Sequence, residues 1–453
     1  MVYVQIEFKE EFYSLPTSKD GMEVRIMKKN PLVSMALMIG LSTSLIACGS
    51  NTVNQVSAQE PISSETTTTT TKEETSTTTV KVEGTTINSS ELFTERDLEQ
   101  EPDLTNANKI SLNDNEDITI KEEGVYVVSG TAKEATITVD VLDTEKVQIV
   151  LDGASITNTD FPCIYVVNAD KVFVTTTNSK NTLSVTGTFI ADGETNTDAA
   201  IFSKDDLVLN GVGTLTITSS DNGIVSKDDL KVTGGTYEIT CSNNALRGND
   251  SVVIYDGKFT IDSKDDGIHA ENSEDTTVGY IYLGGGEYNI TAVDDAIHAT
   301  TILQIEDGTY TLNAAEGLEA TYIRINDGEV VINASDDGIN AAKKSTISTP
   351  TIEINGGNIS ITMAQGDTDA IDSNGNIYVN GGAITISAQF AFDYDGMAEF
   401  NGGTITVNGN EITTISNSMM GGFEQGGMMQ GQGMTPGGMP PQGHGGFTGK
   451  PGH

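Results

Sequence analysis

The chain runs to 453 residues and carries 65 acidic against 24 basic side chains, a formal charge of −41, with no tryptophan. That balance excludes nucleic acid and anionic lipid surfaces as partners, because both are held by a basic footprint. The three cysteines include no CxxC pair and no zinc-finger spacing.

Residues 1–26 are charged and precede a complete signal peptide, which places the true start at Met27. Met27-Lys28-Lys29 form a basic n-region and Leu32 to Ile46 an apolar h-region. The apolar run is too short for a comfortable membrane span. Leu45-Ile46-Ala47-Cys48 resembles the lipobox of secreted bacterial lipoproteins, which makes 27–48 a lipoprotein signal and Cys48 the lipidated first residue. The address implied is extracytoplasmic, with the membrane touched only through that anchor. Residues 49–92 are rich in Ser, Thr and Glu, including Thr67–Thr71, and read as an extended tether that cannot bury a core.

From 93 to 416 the chain is repetitive. The segment Ile118–Ser203 has alternating runs such as Val147-Gln148-Ile149-Val150-Leu151, read as an N-terminal cap and first coils. Thereafter a Gly that closes one β run and opens the next recurs at 213, 235, 257, 286, 308, 328, 357, 382 and 403. Most spacings are near 22 residues, and two reach 29 through the inserted loops Glu271–Gly279 and Lys343–Thr351. The flanking runs alternate apolar and polar residues, and no 3.6-residue period is sustained. Two or three strands per turn of about 22 residues predict a parallel β-helix, whose insertions often line a binding face.

A second phrase recurs within the coils: two acidic or amide residues, a small residue, Ile or Leu, a polar residue, then usually Ala. Its copies are Asp265-Asp266-Gly267-Ile268-His269-Ala270, Asp294-Asp295-Ala296-Ile297-His298-Ala299, Glu316-Gly317-Leu318-Glu319-Ala320, Asp336-Asp337-Gly338-Ile339-Asn340-Ala341 and Asp369-Ala370-Ile371-Asp372. Weaker copies begin at Asp221 and Asn243.

Coils stacked in register bring equivalent residues about 4.8 Å apart, so each position becomes a column. Two residues after the anchor Gly, the column Leu215, Tyr237, Phe259, Tyr288, Tyr310, Val330, Ile359, Ile384, Ile405 shares the parity of the apolar positions and reads as an interior ladder. Asn326, Asn355, Asn380 and Asn401 stack as a structural amide ladder. Cys163 and Cys241 sit about three coils apart, beyond disulfide reach, and read as buried free thiols.

The phrase itself stacks charge. Two carboxylates 4.8 Å apart repel by about 3 kcal/mol at an effective dielectric near 20 and by under about 1 kcal/mol in water. Such a column has to be solvated, protonated or bridged by cations. One column runs Asn222, Asn244, Asp266, Asp295, Glu316, Asp337, Asp369, and another Val225, Arg247, His269, His298, Glu319, Asn340, Asp372, Asp393. Together with Asp265, Asp294, Asp336, Asp367, Asn374 and Asp395 they make an oxygen-rich set of the kind Ca²⁺ takes. Asp-Gly and Asn-Gly also make tight corners, but Glu316 with Glu319 and Asp372 with Asp393 exceed what a turn requires. His269 and His298 fall one above the other, with zinc the lesser reading and a hydrogen bond to a sugar or carboxylate the greater. Arg247, Lys264, His269, His298 and Asn340 are the candidate sugar contacts. From 417 to 453 the chain is Gly, Met, Gln and Pro-rich and reads as a disordered tail.

Ala200-Ile201-Phe202-Ser203-Lys204-Asp205-Asp206-Leu207, Gly211-Val212-Gly213-Thr214-Leu215, the serial Asp-Asp-Gly-Ile phrases and the Gly/Met-rich tail together resemble one bacterial family. It is the calcium-binding β-helix carbohydrate-binding domain of cellulolytic clostridia, and the resemblance spans residues 95–416. It implies a right-handed parallel β-helix, bound Ca²⁺ and binding of cellulosic and pectic polysaccharide. Relatives of that fold include family 9 pectate lyases, yet the family resembles a binder rather than an enzyme. The pattern is matched at Asp265, Asp266, Asp336 and Asp337 and departs at Glu316 and at Phe390-Ala391-Phe392-Asp393.

The leading expectation is a surface-tethered, monomeric, Ca²⁺-dependent polysaccharide binder without catalysis. The missing tryptophan counts against a flat platform for crystalline cellulose. A pectate-type lyase is the alternative, with Lys264, Arg247 or Arg324 as base, although no lysine is placed centrally in the acidic cluster. An adhesin or envelope-organising repeat protein is the third.

Overall fold

The computed structural model describes residues 85–366 and 368–417. The signal segment, Cys48, most of the 49–92 stretch, Asp367 and the tail beyond residue 417 lie outside them. Among the described residues the fold is all-β apart from one 3₁₀ turn, Ser89–Glu91.

A typical coil contributes three strands, as in Asp229–Val232, Thr236–Cys241 and Leu246–Gly248. Equivalent strands of successive coils pair in parallel: Leu230 beside Val252, Tyr237 beside Phe259, Leu246 beside Ile268. The third strands make a separate 12-stranded sheet, here called the third face. The first and second faces belong to one 24-stranded sheet, joined where Gly124–Lys133 and Lys146–Asn158 bend through both. The fold is an all-β parallel solenoid. At its C-terminal end Asn410–Ile412 turns back antiparallel on Thr404–Val407, so the last edge of the second face is not left open.

The interior is one continuous apolar cluster fed by all three faces. On the second face burial alternates, as in Glu287–Thr291, because one side meets the core and the other water. The column that begins at Leu215 and ends at Ile405 is paired in register throughout. Its aromatic members lie inside. Tyr237, Phe259, Tyr288 and Tyr310 stack face to face with centroids 5.3, 4.9 and 4.6 Å apart. Each tyrosine hydroxyl donates to the carbonyl three residues back, Gly234, Gly285 or Asp307, at 2.8 Å, so none of the three is left unpaired. The carbonyl-bearing corner also needs glycine. Gly286 has φ +109°, and a Cβ there would stand 2.8 Å from the Gly257 carbonyl oxygen. Asn355, Asn380 and Asn401 each donate from Nδ2 to Oδ1 of the preceding asparagine at 2.9 Å, closing the amide ladder. Cys163 and Cys241 are buried free thiols, and burial pushes both up to about 12.

The first face departs from simple alternation. Ser251–Ile254 and Tyr280–Leu283 are buried at every position. The cover is a strap that the tether boundary at residue 92 did not foresee: residues 85–92 belong to the folded part. Ile87 and Leu92 pack against Val253, Tyr280, Tyr282 and Ile302. Gln304 holds the Ile87 backbone from both sides, accepting at 2.9 Å and donating at 3.1 Å. Arg324 donates to the Thr85 carbonyl at 2.6 Å and to the Glu353 carboxylate at 2.8 Å. Further along, Lys231 donates to the Leu92 carbonyl at 2.8 Å, and Gln100 accepts from the Gly211 amide at 2.8 Å. A sheet covered on both sides buries both side-chain parities, which is why these strands read as near-continuous apolar runs.

Replacing Tyr288 with Ala removes the centre of the stack and its hydroxyl bond. The expected loss is about 3–5 kcal/mol by analogy with buried aromatic truncations, read as a lower denaturation midpoint. A change under about 1 kcal/mol would show that the ladder is not part of the core.

Candidate functional site

The third face carries the recurring phrase. Its Ile or Leu points into the core: Ile224, Leu246, Ile268, Ile297, Leu318, Ile339 and Ile371 are all fully buried. The small residue before it sits where coils nearly touch. A Cβ on Gly338 would meet the Ala370 carbonyl oxygen at 2.4 Å.

The second acidic or amide residue of the phrase ties one coil to the next. Asn222 Oδ1 accepts from the Asn244 amide at 3.2 Å, Asn244 Oδ1 from Asp266 at 3.1 Å, and Asp266 Oδ1 from Asp295 at 2.9 Å. Asp337 Oδ1 accepts from the Asp369 amide at 3.2 Å. In Asp266 one carboxylate oxygen is thereby used for structure, and the other faces the neighbouring column. The turn-forming and ligand-bearing readings of the phrase therefore divide between two atoms of one side chain.

The neighbouring column is paired as the register required, from Val225 through Arg247, His269, His298, Glu319, Asn340 and Asp372 to Asp393. It has two chemically distinct parts. In the first, His269 Nδ1 lies 2.5 Å from Asp266 Oδ2. His298 Nδ1 lies 3.5 Å from that same oxygen and 3.2 Å from Asp295 Oδ2. The far nitrogens face Glu271 Oε2 at 3.4 Å and Glu319 Oε2 at 3.6 Å. Arg247 is half-buried one coil earlier.

In the second part oxygen dominates. Asn340 is buried and donates from Nδ2 to Glu316 Oε2 at 3.0 Å, while its Oδ1 has no hydrogen-bond partner among the described residues. Asp337, Asp369, Asp372 and Asp393 are half-buried, with Asp372 paired to Asn340 on the next coil and Asp393 to Asp372 on the one after. Asp393 Oδ1 accepts from Asn417 at 2.6 Å. Asp265 is half-buried, whereas Asp294, Asp336 and Asp395 are exposed and form an outer rim.

Other predicted residues fall elsewhere. Lys264 is exposed and pairs with Asp262 at 2.5 Å. Arg324 belongs to the first face under the strap. One expectation is corrected: a lysine does reach the acidic column. Lys344, from the inserted loop 343–351, places Nζ 2.9 Å from Glu319 Oε2. Only the loop length hinted at it, since a loop side chain has no register. Beside the column, Val293, Asn313, Ala315, Asn333, Ser335 and Thr362 line a groove of about 480 Å³.

A family model described as carbohydrate-binding domain-containing protein matches residues 114–322 and 316–412. The chain belongs to that family. A carbohydrate-binding domain-containing protein of Acetivibrio thermocellus is 38% identical over 206 residues, 45% of this chain and 72% of the relative. A solved structure titled polysaccharide lyase-like protein from C. thermocellum, a gadolinium derivative, is similar at 24% identity and a TM-score of 0.33, covering 67% of this chain and 97% of its own.

The electrostatics of this carbohydrate-binding domain separate the two parts of the column. Burial opposes protonation of His298, but hydrogen bonds to Asp266 and Asp295 outweigh it and push the imidazole up to about 10. Asp266 is driven up by burial, yet its two histidine partners hold it well below the carboxylate range. Asp295, despite His298, is still pushed up to about 7 by burial, and the oxygen-rich part has no histidine at all. Burial, then the charges of Glu319 and Asp295, push Glu316 up to about 8. Burial, then Asp337 and Asp393, push Asp372 up to about 7. Both folded values exceed the unfolded ones, so the folded state binds more protons and stability falls as pH rises from about 4 to about 8. In chelator the melting temperature should drop across that window, and millimolar Ca²⁺ should raise it more at pH 8 than at pH 5. Equal shifts at both pH values would mean that these carboxyls hold no cation.

Proposed function

We propose that the protein is a calcium-dependent, non-catalytic binder of pectic and cellulosic polysaccharide, held at the cell surface by a lipid on Cys48 and acting as a monomer. Family membership supports the carbohydrate partner. The winding is read as right-handed with coils of about 22 residues, the hand that parallel strand crossovers adopt.

The observation that carries the calcium reading is Asn340 Oδ1. A buried amide oxygen without a donor among the described residues, beside carboxyls driven toward neutrality by burial and by their neighbours, fits a hard cation taking six to eight oxygens. Glu316, Asp337, Asn340 and Asp372 would hold it, with Asp369 and Asp393 at the margin. Bound Ca²⁺ supplies the positive charge through which an acidic protein and an anionic uronate chain attract instead of repel. The groove lined by Asn313, Asn333 and Ser335 runs in sequence into the rim carboxylates Asp294 and Asp336, and supplies amide and hydroxyl contacts for sugar hydroxyls.

Binding is preferred to lyase chemistry because the basic residues are unsuited to proton abstraction. A general base has to be neutral near the working pH. Burial opposes the charge on Lys344, but the Glu319 contact prevails and raises its pKa above the ordinary lysine value. Lys264 and Arg324 are each engaged with a carboxylate.

The test is retention of the full chain on insoluble polygalacturonate and cellulose. Retention in Ca²⁺ that chelator reverses is expected, with Asn340→Leu and Asp372→Asn each weakening it at least tenfold. Release of an unsaturated uronate product, seen as ultraviolet absorbance, or retention indifferent to chelator, would overturn the reading. Separately, Cys48→Ser should release the protein into the medium of the producing cell, and continued membrane fractionation would refute the anchor.

A further inference from the structure

The two histidines are left over. Calcium does not favour imidazole nitrogen, and the residues proposed above to hold it include neither histidine. We infer that His269, His298, Asp266 and Asp295 form a second cation site suited to a borderline divalent ion of the Zn²⁺ class.

Three donor atoms converge, from Asp266, His269 and His298, and Asp295 approaches beside His298. His269 Nδ1 and His298 Nδ1 both face Asp266 Oδ2, at 2.5 and 3.5 Å, and His298 Nδ1 also faces Asp295 Oδ2 at 3.2 Å. Around a four-coordinate zinc with bonds of 2.0–2.1 Å, adjacent donors lie roughly 3.3 Å apart. Two of the three contacts already have that spacing, and the third has to open by roughly 0.8 Å on that standard. The set is two nitrogens and two oxygens, a combination zinc accepts and calcium does not seek.

The far side of each ring supplies an independent observation. Nε2 of His269 faces Glu271 and Nε2 of His298 faces Glu319, at 3.4 and 3.6 Å. Metal-binding histidines characteristically donate their other N–H to a carboxylate, which fixes the tautomer and makes the ligating nitrogen more basic. Here each histidine has a carboxylate on that side, at a distance that has to shorten before the N–H can donate to it. Glu319 is itself anchored by Lys344 at 2.9 Å.

The donors are also held in place before any ion arrives. His269 and His298 are direct partners on adjacent parallel strands, with ring centroids 4.9 Å apart. Asp266 Oδ1 is engaged by the Asp295 amide at 2.9 Å, which aims Oδ2 at the histidines. His269, Asp266 and Asp295 are buried, so little ordering remains to be done on binding.

The competing account is two imidazolium rings neutralising two carboxylates with no metal. Protons and metal ions compete for the same nitrogens, so the accounts differ in a measurable way. The untagged full chain, saturated with millimolar Ca²⁺, is titrated with Zn²⁺ and separately with Co²⁺. One equivalent should survive buffer exchange, with release of protons from the histidines. The Co²⁺ form should show the intense visible band of a four-coordinate ion, a readout that needs no variant. His269→Gln with His298→Gln should weaken Co²⁺ binding at least 100-fold, and Asp372→Asn should leave it unchanged. No retained ion, the pale spectrum of an all-oxygen octahedral ion, or binding that survives the double substitution would overturn the site. The last outcome would assign the ion to His444 and His453, which the double variant keeps. None of these outcomes bears on calcium or glycan binding, which rest on different residues.

Discussion

Parallel stacking in register is the constraint from which the rest follows. Once consecutive coils pair residue for residue, every position of the repeat becomes a column with a spacing near 4.8 Å. Inside the solenoid that spacing suits apolar and aromatic groups, and the stacked Tyr237, Phe259, Tyr288 and Tyr310 rings exploit it. At a corner it suits asparagine, whose amide both donates and accepts along the stack. For carboxylates the same spacing is unfavourable, and the third face is organised around relieving it.

Relief takes a different form at each level of two neighbouring columns. Asp266 is answered by His269 and His298, whereas Asp295, beside His298, is still pushed up to about 7 by burial. Glu319 is answered by Lys344, which crosses from an inserted loop. Beyond Glu319 no basic side chain is given by the register, and Glu316 and Asp372 are pushed toward protonation. Asn340 interrupts the run of charge but presents an amide oxygen without a donor among the described residues. The third face thus grades from Asp266, answered by two histidines, to Glu316 and Asp372, with no basic partner in register. That gradient is what distinguishes the two cation sites proposed above.

The strap adds a second organising contact. By covering the outward side of the first face it removes that sheet from the candidate binding surface and leaves the third face and its groove open. It also holds Arg324 and Gln304 in structural roles. A purely alternating face would have left Tyr280, Tyr282 and Val253 as an exposed apolar patch.

The repeat period, the parallel pairing, the interior aromatic column, the amide ladder and both polar columns could all be read from the chain. These depend on period two within a strand and a constant offset between coils, which are local properties of the sequence. What only the tertiary structure decided involves contacts without register. The strap meets Gln304 across 217 residues and Arg324 across 239, and its few apolar side chains have no period to reveal them. Lys344 reaches Glu319 from a loop, where spacing says nothing about direction. The division of Asp266 between a backbone bond and the histidines was equally hidden, because a corner breaks strand parity and sequence cannot say which oxygen faces which neighbour.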